Sequence, residues 1–119
     1  MILVDTSVWI DHLRSDDLEL AAKLKSGAVL SHPCVIGEIA IGDLPQRKFV
    51  LEDLNDLPSA DVATDAEIMA FVENHALFGR GLSYIDAHLL ASTKLTSGAK
   101  LWTRDRRLER VAEALGVAV

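Results

Sequence analysis

Four carboxylates constrain this chain more than any other feature. Asp5 ends the first apolar run, Glu38 and Asp86 sit inside apolar segments, and Asp105 follows another strand-like run. An acid in such surroundings is costly to desolvate unless it is paired or holds a cation. Only Asp105 has basic neighbours in the local sequence. A fold that suits this chain must therefore gather the acids around something positive. Carboxylates gathered that way hold Mg²⁺ or Mn²⁺ for phosphoryl chemistry, which points to a metal-dependent nuclease.

At 119 residues the chain is expected to form one domain, residues 1–119, with room for a real core. Half of the residues are hydrophobic and a quarter charged, as in ordinary globular proteins rather than disordered ones. No apolar run is long enough to span a bilayer, and Met1-Ile2-Leu3-Val4-Asp5 lacks the basic region of a signal peptide. The single Cys34 allows no internal disulfide and fits a reducing cytoplasm. His12, His32, His75 and His88 with that cysteine show no zinc-ligand spacing, so zinc is not expected.

The net charge of −6 argues against a generic nucleic-acid binder. Bound divalent metal would offset much of the charge on the four proposed ligands, and the basic residues are unevenly spread. Arg104, Arg106, Arg107 and Arg110 cluster beside Asp105. Of these, Arg104, Arg106 and Arg107 are candidate RNA phosphate contacts; the competing explanation is a solvated helix face.

Hydrophobic periodicity divides the chain into alternating strands and helices. Ile2-Leu3-Val4 reads as a buried strand, followed by a helix through Val8, Trp9, Ile10 and Leu13 with Ser7 as N-cap. Asp16 or Asp17 starts a second helix that stops at Gly27, and residues 28–31 form a second strand. Pro33 suits the first turn of the next helix, and Pro45 opens another through Leu54. A short strand is expected over residues 61–63, then a helix capped by Thr64 or Asp65. Gly79-Arg80-Gly81 is a loop, Ser83 caps a helix through Leu95, residues 100–103 form a strand, and a helix covers residues 106–115. Val117-Ala118-Val119 is expected to add a final strand. This alternation implies an α/β sandwich with a central parallel sheet, whose sites lie at the carboxyl ends of the strands.

Each acid has a competing structural explanation. Asp5 can cap the helix that follows it, although Thr6 and Ser7 could do so without a charge. Asp86 completes Ser83-x-x-Asp86, a capping-box pattern, yet Leu82, Leu89 and Leu90 lie within one turn of it. Asp105 before Arg106-Arg107-Leu108 is a good N-cap. Thr103 alternates with Asp105 at the strand end, and threonine's strand propensity also accounts for it. Glu38 is the only charged residue between Pro33 and Gly42, with a distant ion pair as its alternative. Two unit charges about 4 Å apart repel by roughly 4 kcal/mol at an effective dielectric near 20. Four together need a cation or must partly protonate.

In order and spacing, Asp5-Thr6-Ser7 after the first strand, Glu38 on the third helix, Asp86 at a helix start and Thr103-x-Asp105 after a late strand resemble a PIN domain. The opening Met1-Ile2-Leu3-Val4-Asp5-Thr6-Ser7-Val8-Trp9-Ile10-Asp11 is similar to that of the VapC ribonucleases, the toxins of toxin–antitoxin pairs. The resemblance spans essentially the whole chain. It implies a three-layer α/β/α fold, Mg²⁺- or Mn²⁺-dependent endonucleolytic cleavage of RNA, a homodimer and a VapB-like antitoxin partner. By the same match, Asp5 and Asp86 would be the principal metal ligands, and Glu38 and Asp105 would complete the acidic site. Thr6 or Ser7, and Thr103, would orient water at the metal.

Two rival functions are weaker. A receiver-like phospho-acceptor domain needs paired acids after the first strand and a lysine after the last, whereas Thr6 follows Asp5 and only Val117-Ala118-Val119 lies at the end. A non-catalytic partner-binding module on the same fold would not require all four acids. No aromatic platform for reading bases is evident, and Trp9 and Trp102 read as core residues.

Overall fold

Every strand that the sequence places before a charged or polar turn ends at the same edge of one small parallel sheet. The structure, a computed structural model, describes residues 1–119. Its elements run β1 (Ile2–Val4), α1 (Thr6–Arg14), α2 (Leu18–Lys25), β2 (Val29–Leu30), α3 (Pro33–Ile41), α4 (Arg47–Asp56), α5 (Asp65–Asn74), α6 (Tyr84–Leu95), β3 (Lys100–Trp102) and α7 (Arg106–Ala114). The sheet order is β2-β1-β3. Ile2 and Leu3 stand opposite Val29 and Leu30 on one side, and Ile2, Leu3 and Val4 opposite Lys100, Leu101 and Trp102 on the other. All pairs are parallel, as helical crossovers require. Helices flank this sheet in an α/β arrangement consistent with the PIN-like fold.

The central strand is wholly apolar, and beyond the partly exposed Ile2 neither of its faces meets water. Leu3 and Val4 are fully buried, together with Leu20, Leu89, Leu90, Leu101 and Leu108. Helix α6 packs against β3, α3 and α5, and its run from Ala87 to Thr93 is buried on all sides. A smaller apolar cluster of Ala63, Ile68, Ala87 and Ala91 joins α5 to α6. Trp9 is buried, whereas Trp102 is only half-buried, with the Arg104 guanidinium 5.9 Å from the centre of its ring.

Two expected strands shrink to single bridges. Residues 61–63 form no strand; the chain meets the sheet earlier, where Ser59 bridges Ser31 in parallel. At the other edge, Ala118 bridges Leu101 through N–H···O bonds of 2.7 and 3.1 Å. Such short edges leave little unpaired backbone to recruit another strand. No helix is long and apolar enough to cross a membrane.

Candidate active site

The acidic edge is built from the first residues after β1 and β3, which start α1 and α7, from the start of α6, and from the second half of α3, which carries Glu38. Asp5 follows β1, and its N–H continues the ladder to the Trp102 carbonyl at 2.9 Å. Its Oδ1 accepts the Thr6 N–H at 2.8 Å, so Asp5 itself is the N-cap of α1. This corrects the expectation that Ser7 caps the helix. A carboxylate is the stronger acceptor at the positive end of a helix, and the Ser7 hydroxyl instead donates to Asp5 Oδ2 at 2.8 Å.

The turn after β3 wraps around the same carboxylate. Thr103 Oγ1 donates to Asp5 Oδ2 at 2.7 Å and accepts the Asp105 N–H at 3.1 Å. The Arg104 N–H donates to Ser7 Oγ at 3.1 Å. Asp105 then caps α7, its Oδ1 accepting the N–H groups of Arg107 and Leu108 at 2.9 and 3.2 Å. Asp86 caps α6 in a reciprocal pair with Ser83, with bonds of 2.9 and 3.0 Å. The capping explanations of Asp5, Asp86 and Asp105 are thus all realised, and they coexist with a shared acidic edge.

Glu38 differs. It lies on the exposed side of α3, where Thr6 Oγ1 donates to its Oε1 at 2.7 Å. The apolar sequence around it does not bury it, because α3 turns Val35 and Ile39 inward and leaves Ile41 89 % exposed.

Electrostatics links the acids. Burial raises the pKa of Asp86 above the usual carboxylate value, and the negative charges of Asp5 and Asp105 push it the same way. The Ser83 hydrogen bonds act against that shift. The chain's hydrogen bonds fall on Oδ2 of Asp86, Oδ1 of Asp105 and Oε1 of Glu38, leaving one oxygen of each without a protein partner. The edge therefore suits a cation that keeps part of its water shell, as Mg²⁺ does.

The hydroxyls expected to orient water all direct their protons at carboxylates: Thr6 to Glu38, and Ser7 and Thr103 to Asp5. The arginines divide as well. The Arg104 guanidinium is held by Asp11 and Asp17, whereas Arg106 and Arg107 are exposed and have no acidic partner. Arg107 lies over Gly81, whose φ is +76° and whose missing Cβ would stand 2.9 Å from Arg107 Cδ. One grouping escapes any reading of local spacing. His32, Cys34 and His88 come together from α3 and α6, and nothing near either segment in sequence signals it.

The match to known proteins covers the chain almost end to end. The PIN domain family model matches residues 2–114. Ribonuclease VapC32 of Mycobacterium tuberculosis, from strain CDC 1551 / Oshkosh and from strain ATCC 25618 / H37Rv, is 47 % identical over 119 residues, 100 % of this chain and 96 % of the relative. The chain belongs to the PIN-domain family and, within it, to the VapC ribonucleases.

Proposed function

We propose that this ribonuclease is a divalent-metal-dependent endoribonuclease and acts as the toxin of a toxin–antitoxin pair. The observation that carries the reading is the acidic edge itself, where Asp5, Asp86 and Asp105 are each anchored by a helix start and Glu38 is tied to that edge by Thr6. Asp5 and Asp86 would be the principal ligands of Mg²⁺ or Mn²⁺, with Glu38 and Asp105 completing the set. Their oxygens form the hard donor set these ions prefer. An ion held by these residues would supply activation of a nucleophilic water and neutralisation of charge on the scissile phosphate.

The chain's own contribution is order. Thr6 fixes the rotamer of Glu38, while Ser7 and Thr103 fix Asp5, so the carboxylates need not reorganise when substrate arrives. Arg104 holds the turn that carries Thr103 and Asp105 by gripping Asp11 and Asp17. Arg106 and Arg107 supply phosphate contacts next to the acids, which a chain of net charge −6 needs in order to hold RNA.

The partner is a VapB-like antitoxin, and the working form is a homodimer in the cytoplasm. An acidic edge accepts a guanidinium through two parallel hydrogen bonds, so an arginine of the antitoxin would occupy it and block cleavage. The test is incubation with total cellular RNA, with and without Mg²⁺, followed by mapping of the cut ends. Discrete internal cuts that require metal and vanish in Asp86→Asn are expected. Cleavage that persists in chelator would overturn metal dependence.

A further inference from the structure

The donor atoms of His32, Cys34 and His88 all lie within 4.8 Å of one another, where α3 packs against α6. His32 caps α3 and Cys34 sits in its first turn, while His88 is in the second turn of α6. His88 is only 8 % exposed, and its Nδ1 is buried with no hydrogen-bond partner. A buried nitrogen without a partner is destabilising, and native structures contain few. The opposite nitrogen, Nε2, faces the Asp65 carboxylate at 3.8 Å, and that carboxylate is held by the Tyr84 hydroxyl at 2.8 Å. The 3.8 Å gap is beyond hydrogen-bond reach, and a small approach would let the carboxylate orient the imidazole from behind, as the outer partners of metal-binding histidines do.

His32 is neutral and its tautomer is fixed. Its Nδ1 accepts the Cys34 N–H at 3.0 Å, so Nε2 carries the proton and donates to Ser92 Oγ at 2.9 Å. Neutral imidazole is the ligating form. One sulfur and two imidazoles are a poor donor set for Mg²⁺ and a good one for a softer ion.

We propose that Cys34, His88 and His32 form a second metal site, distinct from the acidic edge, which takes a cation of the Zn²⁺ class and clamps the start of α3 to α6. Zinc bonds of about 2.3 Å to sulfur and 2.0–2.1 Å to nitrogen put one sulfur and two nitrogens roughly 3.3–3.6 Å apart in a tetrahedral site, so the donors close in by about 1 Å. Cys34 and His88 are the primary pair, and the Cys34 thiol releases its proton to solvent on binding. His32 would ligate through Nδ1, giving up the Cys34 N–H and keeping the Nε2 proton on Ser92 Oγ, and water would take the fourth position. Glu38 lies one turn beyond Cys34 and Asp86 two residues before His88. A clamp here fixes the spacing of two acids without touching either.

Cobalt alone is the probe, because Co²⁺ bound to a thiolate absorbs in the near ultraviolet. One equivalent should produce that band in the wild type, and Zn²⁺ should remove it. The band should be lost in Cys34→Ser and retained in Asp105→Asn, which changes the acidic edge at the start of α7 and leaves α3 and α6 as they are. A wild type without the band, or a folded Cys34→Ser that keeps it, overturns the site. Alkylation of Cys34 in the wild type decides the matter without any variant. At Zn²⁺ about ten times its dissociation constant, mass action slows the reaction about tenfold. An unchanged rate overturns the proposal, whatever the nuclease activity proves to be.

Discussion

At the scale of single residues, the capping role of Asp86 and the ligand role proposed for it can be separated by substitution. Its Oδ2 caps α6 through Ser83, and its other oxygen has no protein partner. Asparagine keeps an accepting oxygen at the cap and removes the charge. We expect Asp86→Asn to abolish RNA cleavage while thermal stability without metal holds or rises, since repulsion from Asp5 and Asp105 is relieved. Asp86→Ala should lose activity and also about 1 kcal/mol of stability, the usual net worth of a hydrogen bond, here the one it accepts from the Ser83 N–H in the capping box. Equal melting temperatures for the two variants would contradict the capping role. His32 gives a second expectation. Burial first, and the neighbouring His88 second, hold its pKa down to about 4 from 6.5. The unfolded chain therefore takes up a proton below pH 6.5 that the folded one refuses until about pH 4. Stability is complete above that window and falls as the pH drops through it, by up to about 3 kcal/mol. His32→Asn preserves a capping side chain and should flatten the pH profile of denaturant unfolding across that interval.

Among the elements, the loop before α6 sets the position of Arg107. Gly81 and Gly98 both have positive φ, +76° and +73°, but only at Gly81 would a Cβ press on a side chain, that of Arg107. Alanine at either position should cost about 1–2 kcal/mol through the backbone. Only Gly81→Ala should also weaken RNA binding, by displacing the guanidinium. Equal RNA affinities in the two variants, measured by filter binding, would remove Arg107 from the phosphate contacts. The elements themselves were largely legible in the sequence, because periodicity and capping residues mark Thr64, Ser83 and the run from Ile2 to Val4 plainly. What local pattern could not reveal was competition between neighbours. Ser7 and Asp5 both suit the start of α1, and the charged acceptor wins. Val117-Ala118-Val119 has the composition of a strand, but it has only Leu101 to bridge. Glu38 shows that an apolar helix need not be a buried one, and the site around Cys34 depends wholly on how α3 meets α6.

For the whole molecule, the helix starts hold the acids in place when no cation is present. Chelation should therefore stop cleavage yet leave the protein folded, and Mg²⁺ should raise the melting temperature as a ligand of the native state. At about 100 times its dissociation constant, it should add about 2.7 kcal/mol. Calorimetry showing no metal effect at neutral pH would count against an assembled site. In the complex with antitoxin, Ala replacements of the antitoxin's arginines should weaken inhibition; full inhibition by every such variant, untouched by excess Mg²⁺, would place the block outside the acidic edge. The capping bonds also make the four acids unequal under mutational drift. Changes at Asp5, Asp86 or Asp105 disturb a helix start as well as the proposed chemistry, so selection for folding alone discourages most replacements there. Glu38 is exposed and caps nothing. In a library sorted only for abundance, position 38 should accept almost any residue, while positions 5, 86 and 105 keep to the small set of capping side chains. An enzyme of this build that is relieved of its duty would be disarmed first at Glu38, while remaining folded and able to meet its partner.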